Sequence, residues 1–471
     1  MDNLKRHKAV FLWVVLFGAV IAGTLNNTMP YKGDESFYIT SAIGMVENGD
    51  YLVPRYFGEM RFQKPVLSYW LTAGGYLLFG VHLWSGRVLY LLMACGFLLL
   101  VYRLALVVSG ELNHALLSVM VLSSSTLYFG FARHAMTDLP FAFFMTAALY
   151  FFCRILGDSS HISRDNAFAF LMMSLAVMSK SVIGFMPAVA FFVYLFLRRP
   201  DGWVRYIRAL FHPLNIVIVA LIVLPWYICV YKTEPAEFMR QMSYEADAAS
   251  GGAMAVPYNL MYYVISTLVM MFPAFGAALF VGFRKRVSRL PLSRSTELLL
   301  VYSVLMVLFF TVFIGRARER YLLAMFPALA ILVSLVLYRA GRAERYMKIA
   351  AVVFALHGVV FLAYPLISGE PLRSFVSYCR ESGDGEIAVH GFDRKRTSWV
   401  QAMSGGSLAE DPRSARYLIV KGDNDSLLVT HEEIMSHSRI NRVTYRDGRF
   451  QTKYKTFRLM RNKSTVTEND Q

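Results

Sequence analysis

The sequence predicts an all-α polytopic membrane protein of about eleven transmembrane helices, followed by a small C-terminal α/β domain. Of its 471 residues, 56% are hydrophobic and only 17% are charged, against roughly 25% charged in soluble domains. Apolar runs of about 20 residues recur along most of the chain, the length that a ~30 Å hydrocarbon core demands of a helix. From about Ser368 the composition turns polar and acquires the alternation of strands.

The expected spans lie near 10–29, 88–108, 114–132, 139–156, 166–179, 181–197, 213–231, 258–282, 297–315, 321–338 and 348–367. The first follows Lys5, Arg6 and Lys8 and runs on without a convincing cleavage site, so it reads as an uncleaved helix. A net charge of +16 would point to nucleic acid in a soluble protein. Here the excess sits in short loops, where it sets topology instead, and no nucleic-acid partner is expected. The basic loops Lys5–Lys8, Arg198–Arg208, Arg284–Arg289 and Arg339–Lys348 all fall on one side, assigned to the cytoplasm. The opposite, periplasmic side then receives the loop 30–87, the Arg133–Asp138 turn, Lys180, the acidic loop 232–257, Arg316–Arg320 and the C-terminal domain. The four cysteines show no metal-ligand spacing and imply no disulfide framework.

The first loop is too polar to span a bilayer and too aromatic to stand free in water. Ile39, Ala42, Ile43 and Val46 recur at helical spacing and predict a short amphipathic helix lying along the interface. A second helix is expected from Pro65 to Phe79, with Pro65 at its first position and Tyr69 and Trp70 at headgroup level. Beyond the last span, 386–392 and 415–421 read as strands and 440–459 as a hairpin turning at Asp447-Gly448. The chain thus divides into a membrane domain (1–367), a periplasmic α/β domain (368–462) and a disordered tail (463–471).

Several polar residues on the periplasmic side invite a chemical reading. Asp34 and Glu35 stand just past the first span: a carboxylate there could take a proton from an attacking hydroxyl. Alternatively, Asp34 is an N-cap and Glu35 a first-turn acid favoured by the helix dipole. Asp138, before a helix with Pro140 in its first turn, carries the same two readings. Arg133 ends an apolar run and needs an anion or headgroup partner. Arg61 and Lys64 form a basic cluster ahead of Pro65, where Lys64 serves a phosphate or snorkels to the headgroups. Lys180 invites the same argument. Arg316, Arg318 and Arg320 lie on the side that positive-inside logic disfavours, and guanidinium recognition of phosphate is a natural reason for it.

Taken in order, Asp34-Glu35, Tyr38, Asn48-Gly49-Asp50-Tyr51-Leu52-Val53-Pro54, Phe62-x-Lys64-Pro65, Tyr69-Trp70 and Phe79-Gly80 resemble the first periplasmic loop of the polyprenyl-phosphate-sugar-dependent GT-C glycosyltransferases. That superfamily includes the bacterial aminoarabinose-to-lipid-A transferases and the protein O-mannosyltransferases. Ala132-Arg133 with Asp138-Leu139-Pro140, Ser179-Lys180, Pro225-Trp226-Tyr227 and Arg320-Tyr321-Leu322-Leu323 continue the likeness over roughly residues 5–340. The resemblance implies Asp34 as the acid at the reaction centre, Glu35 beside it and Asp138 as a second acidic position. It also implies Lys64 on the donor phosphate and Tyr321 lining that region. Arg61, Arg133, Lys180, Arg318 and Arg320 join the donor-phosphate set from charge and topology.

Two departures narrow the expectation. Gln63 stands where the aminoarabinose transferases have a glutamate associated with a bound metal, which weighs against a divalent cation, and Phe37 stands where they tend to have arginine. The function expected is inverting transfer of a sugar from a polyprenyl (undecaprenyl) monophosphate to a periplasmic-face acceptor such as lipid A, another envelope glycan or protein. The alternative is a transporter or flippase of lipid-linked sugars, which would place charge near the bilayer midplane.

Overall fold

The structure is a computed structural model of the whole chain. It describes all residues except 1, 28–33, 158–160, 250–254, 286–290, 369–370, 384, 407, 423–429, 447–448 and 466–471. About 73% of it is helical.

α1 (Asp2–Ala22) leads into the first loop, which holds α2 (Glu35–Asn48), a two-strand hairpin of β1 (Arg55–Tyr56) and β2 (Glu59–Met60), and α3 (Leu67–Phe79). The membrane domain continues through α4 (Ser85–Ser109), α5 (Leu112–Ser123), α6 (Thr126–Phe131), α7 (Asp138–Leu156), α8 (Ile162–Ser179), α9 (Met186–Arg198), α10 (Trp203–Leu210) and α11 (Pro213–Thr233). It closes with α12 (Pro235–Ala249), α13 (Ala255–Met270), α14 (Ala274–Lys285), α15 (Arg294–Phe313), α16 (Phe326–Arg339) and α17 (Ala343–Ser368).

Among the described residues five helices are long and apolar enough to cross a membrane: α4, α7, the run Trp203–Thr233, α15 and α17. The sixth candidate is α13 with α14, expected as one straight span over 258–282 but bent by 101° at the break between them. Of the other expected spans, those near 114–132, 181–197 and 321–338 form shorter apolar helices, and those near 10–29 and 166–179 fall on α1 and α8, of 21 and 18 residues. The span near 114–132 is divided into α5 and α6 where the Ser125 side chain accepts a hydrogen bond from Tyr128 N, and α16 has only 14 residues, about 21 Å of helix. Leu92, Leu221 and Val359, on α4, α11 and α17, are 61–71% exposed, apolar faces left for lipid.

The first loop departs from the expected interfacial arrangement. α2 is covered on almost every side: Ile39, Ala42 and Ile43 pack with Ala73 and Tyr76 of α3 and with Trp399 and Ala402 of the C-terminal domain. A segment some 350 residues downstream seals the face that the periodicity had assigned to lipid. Close approach of α3 to α4 depends on Gly75, where a Cβ would lie 2.0 Å from the Ser85 carbonyl oxygen. α3 starts two residues past Pro65, and Tyr69 is fully buried instead of sitting among headgroups, whereas Trp70 is exposed and donates to the Tyr51 carbonyl at 2.7 Å.

The C-terminal domain is built from α18 (Leu372–Glu381), β3 (Ile387–His390), α19 (Arg394–Ser404), β4 (Tyr417–Lys421), β5 (His431–Arg446) and β6 (Arg449–Asn462). Its sheet order is β3-β4-β6-β5. β3 and β4 run parallel, joined through α19, and the other pairs are antiparallel. Phe375, Val376 and Cys379 of α18 and Val400 of α19 pack on Ile387, Tyr417, Ile419, Phe457 and Leu459 of the sheet. The hairpin begins nine residues earlier than expected, and its pairing runs to Arg446 with Arg449. The expected turn at Asp447-Gly448 lies outside the described residues. Of the tail expected to be disordered, Lys463–Thr465 form a 3-10 turn and the remainder lies outside the described residues.

Candidate active site

Four chain segments deliver charged groups to one place. Asp34 precedes α2 in a helical conformation, and its side chain makes no capping bond. Its carboxylate is instead paired with the Arg320 guanidinium. Arg320 belongs to a 3-10 turn, Glu319–Ala324, anchored by buried Leu322 and Leu323 and by a hydrogen bond from the Tyr302 hydroxyl to the Ala324 carbonyl at 2.9 Å. The pairing gives Arg320, one of the arginine cluster, an anionic partner.

Asp138 opens α7 and is buried. It does not cap the helix; one carboxylate oxygen receives a hydrogen bond from Lys180 Nζ at 2.5 Å. The other oxygen has no hydrogen-bond partner among the described residues. Lys180 follows the last turn of α8, and the 3-10 turn after it (Val182–Phe185) packs so closely that a Cβ on Gly184 would lie 2.8 Å from Val177 N. Its ammonium stands 5.0 Å from the centre of the Tyr321 ring, which is stacked on Phe310 at 5.2 Å. Burial draws the Lys180 ammonium below its ordinary pKa, and Asp138 opposes that drift. Burial works likewise against the Arg320 charge, but Asp138 and Asp34 together hold its pKa above the ordinary value. Asp34, Arg320, Asp138 and Lys180 therefore form a run of alternating charge, with Tyr321 along its edge.

Arg61 also feels the charge of Asp34. Its Nε donates to the Tyr69 hydroxyl at 3.1 Å and its guanidinium lies 3.6 Å from the centre of the Phe37 ring. Phe37 thus supplies an aromatic face for Arg61. Lys64 is half-buried just ahead of α3. The loop is clamped from above by Gln241 of α12, which accepts from Phe62 N at 2.7 Å and donates to the Met60 carbonyl at 2.9 Å.

Other expected site residues lie elsewhere. Glu35 points inward: Arg87 Nε and Nη2 bind its carboxylate at 2.7 and 2.6 Å, Ala135 N donates at 2.8 Å, and His134 Nδ1 lies at 3.0 Å. Burial raises its pKa, yet Arg87 and His134 outweigh that and hold the carboxyl well below its usual range. Burial also lowers His134 to about 4, so it donates as the neutral imidazole at neutral pH. Arg87, which sequence reasoning missed, is fully buried and also donates to the Leu25 and Asn27 carbonyls at 2.6 and 2.8 Å. An arginine three residues into an apolar helix was the available signal, since such a charge requires a partner. Arg133 is buried with its guanidinium 4.3 Å from the Phe361 ring centre, apart from the Asp34–Arg320 pair. Arg318 is exposed and joins none of these pairs among the described residues. Among those residues, too, no three His, Cys, Asp or Glu side chains come together in a group able to hold a metal ion.

The fold is shared with ArnT from Cupriavidus metallidurans, solved bound to undecaprenyl phosphate, which superposes with a TM-score of 0.69 over 95% of this chain and 98% of that one, at 17% identity. The chain resembles both the aminoarabinose transferases and the protein O-mannosyltransferases. The family described as dolichyl-phosphate-mannose-protein mannosyltransferase matches residues 9–239. The undecaprenyl phosphate-alpha-4-amino-4-deoxy-L-arabinose arabinosyl transferase of Edwardsiella ictaluri is 27% identical over 389 residues, 78% of this chain and 68% of that protein. An uncharacterized protein of Aquifex aeolicus is 29% identical over 309 residues, 64% of this chain and 58% of its own length. The chain thus spans about three fifths to two thirds of the length of these relatives.

Proposed function

We propose that this protein is an inner-membrane glycosyltransferase that moves a sugar from undecaprenyl monophosphate to an acceptor at the periplasmic face, with inversion. The observation that carries the reading is the charge run Asp34–Arg320–Asp138–Lys180, set in a fold shared with a protein solved with undecaprenyl phosphate. In a single displacement, the acceptor oxygen bonds to the anomeric carbon as the bond from that carbon to the phosphate oxygen breaks. Asp34 takes the proton if the acceptor is a hydroxyl, and the electron pair leaves with the polyprenyl phosphate. Lys64, Lys180, Arg320 and Arg61 stabilise the charge that grows on the phosphate, with Tyr321 beside them.

The ion pair gives Arg320 a second role. While it holds Asp34, the carboxylate is engaged and not free to face an acceptor. An arriving phosphate competes for the guanidinium, so donor binding releases Asp34 to accept a proton. Glu35 acts in this reading by position: its bonds to Arg87, His134 and Ala135 fix the start of α2 and thereby the direction of Asp34. Arg133 adds positive charge behind that network, and Arg318 offers a peripheral contact to the phosphate. The orientation that fits places the N-terminus in the cytoplasm and the C-terminal domain in the periplasm. The family's metal-linked glutamate is an amide here, Gln63, and no step is routed through a metal. Binding of undecaprenyl phosphate to the purified protein tests the reading: wild type should bind it, and Lys64→Ala should weaken it. Failure of wild type to bind would overturn the donor assignment.

A further inference from the structure

A cavity of about 270 Å³ lies where the C-terminal domain meets the membrane domain. Arg373, Ser377 and Arg380 of α18 line it from one side of that junction, and Asn26, His82 and Trp84 from the other. The spacing of 373, 377 and 380 is i, i+4, i+7, so the three share one face of the helix. Phe375, Val376 and Cys379 of α18 pack into the core of the C-terminal sheet. The polar stripe is left to the cavity. There His82 stacks on Trp84 with ring centroids 6.0 Å apart.

The charge of this lining is unbalanced: it holds two arginines and no acidic residue. Arg380 Nη1 donates to a neutral acceptor, the Met403 carbonyl, at 3.3 Å, and neither arginine has a carboxylate partner among the described residues. Two guanidinium forks with a serine hydroxyl beside them suit the oxygens of a phosphate. The rim is apolar. Phe79 meets Trp84 with centroids 5.5 Å apart, and Leu77, Leu78 and Phe79 at the end of α3 are exposed. Next to Asn26, Asn27 donates to the Phe361 carbonyl of α17 at 2.6 Å, and Leu362 after it is exposed. A cationic recess bordered by a tryptophan and exposed apolar side chains matches an amphiphile with an anionic head. The volume is below the ~300–1,000 Å³ of sites that enclose a drug-sized ligand, and suits a headgroup whose chains lie outside.

We propose that this cavity holds the phosphate of an anionic membrane phospholipid, gripped by Arg373 and Arg380, with the acyl chains against the apolar rim. The lipid thereby fastens to the bilayer the domain whose Trp399 and Ala402 cover α2. The site shares no residue with the run Asp34–Arg320–Asp138–Lys180 and does not depend on the transferase reading. The test is native mass spectrometry of the full-length, delipidated protein titrated with phosphatidylglycerol or phosphatidylcholine. Wild type should bind phosphatidylglycerol in preference to phosphatidylcholine. Arg373→Gln/Arg380→Gln should weaken phosphatidylglycerol binding at least fivefold. Lys395→Gln/Arg413→Gln, which removes two exposed charges elsewhere on the same domain, should change it less than twofold. A lipid-free thermal midpoint close to that of wild type reports an intact fold in each variant. Equal losses in the two variants, or no phosphatidylglycerol preference in wild type, would overturn the inference. A rise in thermal midpoint with inorganic phosphate as large as that with phosphatidylglycerol, and absent from Arg373→Gln/Arg380→Gln, would assign the site to a free anion and overturn the lipid.

Discussion

The Asp34 carboxylate and the Arg320 guanidinium form an ion pair across 286 positions of sequence, tying the first loop to the turn before α16. Both are partly accessible, at 32% and 17% side-chain exposure, so the pair is open to a ligand and not sealed into the core.

If Arg320 serves both Asp34 and the departing phosphate, Arg320→Ala should lower turnover by about 10²–10³-fold, the usual effect of removing a donor to developing charge. Arg320→Lys should recover only part of it, because an ammonium lacks the planar fork. Single-turnover rates with saturating donor make the comparison.

Lys64→Ala should weaken donor use by roughly 1.5–3 kcal/mol, the range for a hydrogen bond to a charged group. The loss should appear in donor affinity as well as in kcat. Unchanged values would reduce Lys64 to a residue that reaches for the headgroups.

Glu35 and Arg87 are both fully or almost fully buried, and breaking such a pair from one side costs about 3–5 kcal/mol. Glu35→Gln should therefore lower thermal stability in detergent markedly. The combined Glu35→Gln/Arg87→Met protein should regain much of it. Stability that Glu35→Gln leaves unchanged would contradict the positioning role.

His134 supplies a pH dependence. Its folded pKa is lowered from 6.5 to about 4, so between those values the unfolded chain binds the proton more readily than the folded one. Its contribution to stability is present above pH 6.5 and declines as pH falls toward 4, by up to about 3 kcal/mol. Glu35, also lowered, acts in the same direction at still lower pH. Thermal midpoints measured from pH 7 to pH 5 should fall in wild type and fall less in His134→Gln.

Much of this site was legible because its residues sit in a local pattern. The stretch from Asp34 to Gly80 is continuous in sequence, and Arg320 stood out as one of three arginines in a loop that the expected topology disfavours for basic residues. What stayed hidden came from distant segments. Nothing in Ile39, Ala42 and Ile43 tells that Trp399 and Ala402 will cover them, so a buried helix read as an interfacial one. Arg87 was lost among apolar neighbours, and with it the reason Glu35 turns inward. The 101° bend between α13 and α14 was obscured because both halves are apolar and a hydropathy window averages over the break.

The central claim is that Asp34 accepts the acceptor's proton in a sugar transfer. Mass spectrometry of envelope glycolipids and glycoproteins from a deletion strain, complemented with wild type or with Asp34→Asn at equal membrane levels, tests it most directly. The account predicts a sugar adduct that wild type restores and Asp34→Asn does not. An adduct restored in full by Asp34→Asn would contradict it.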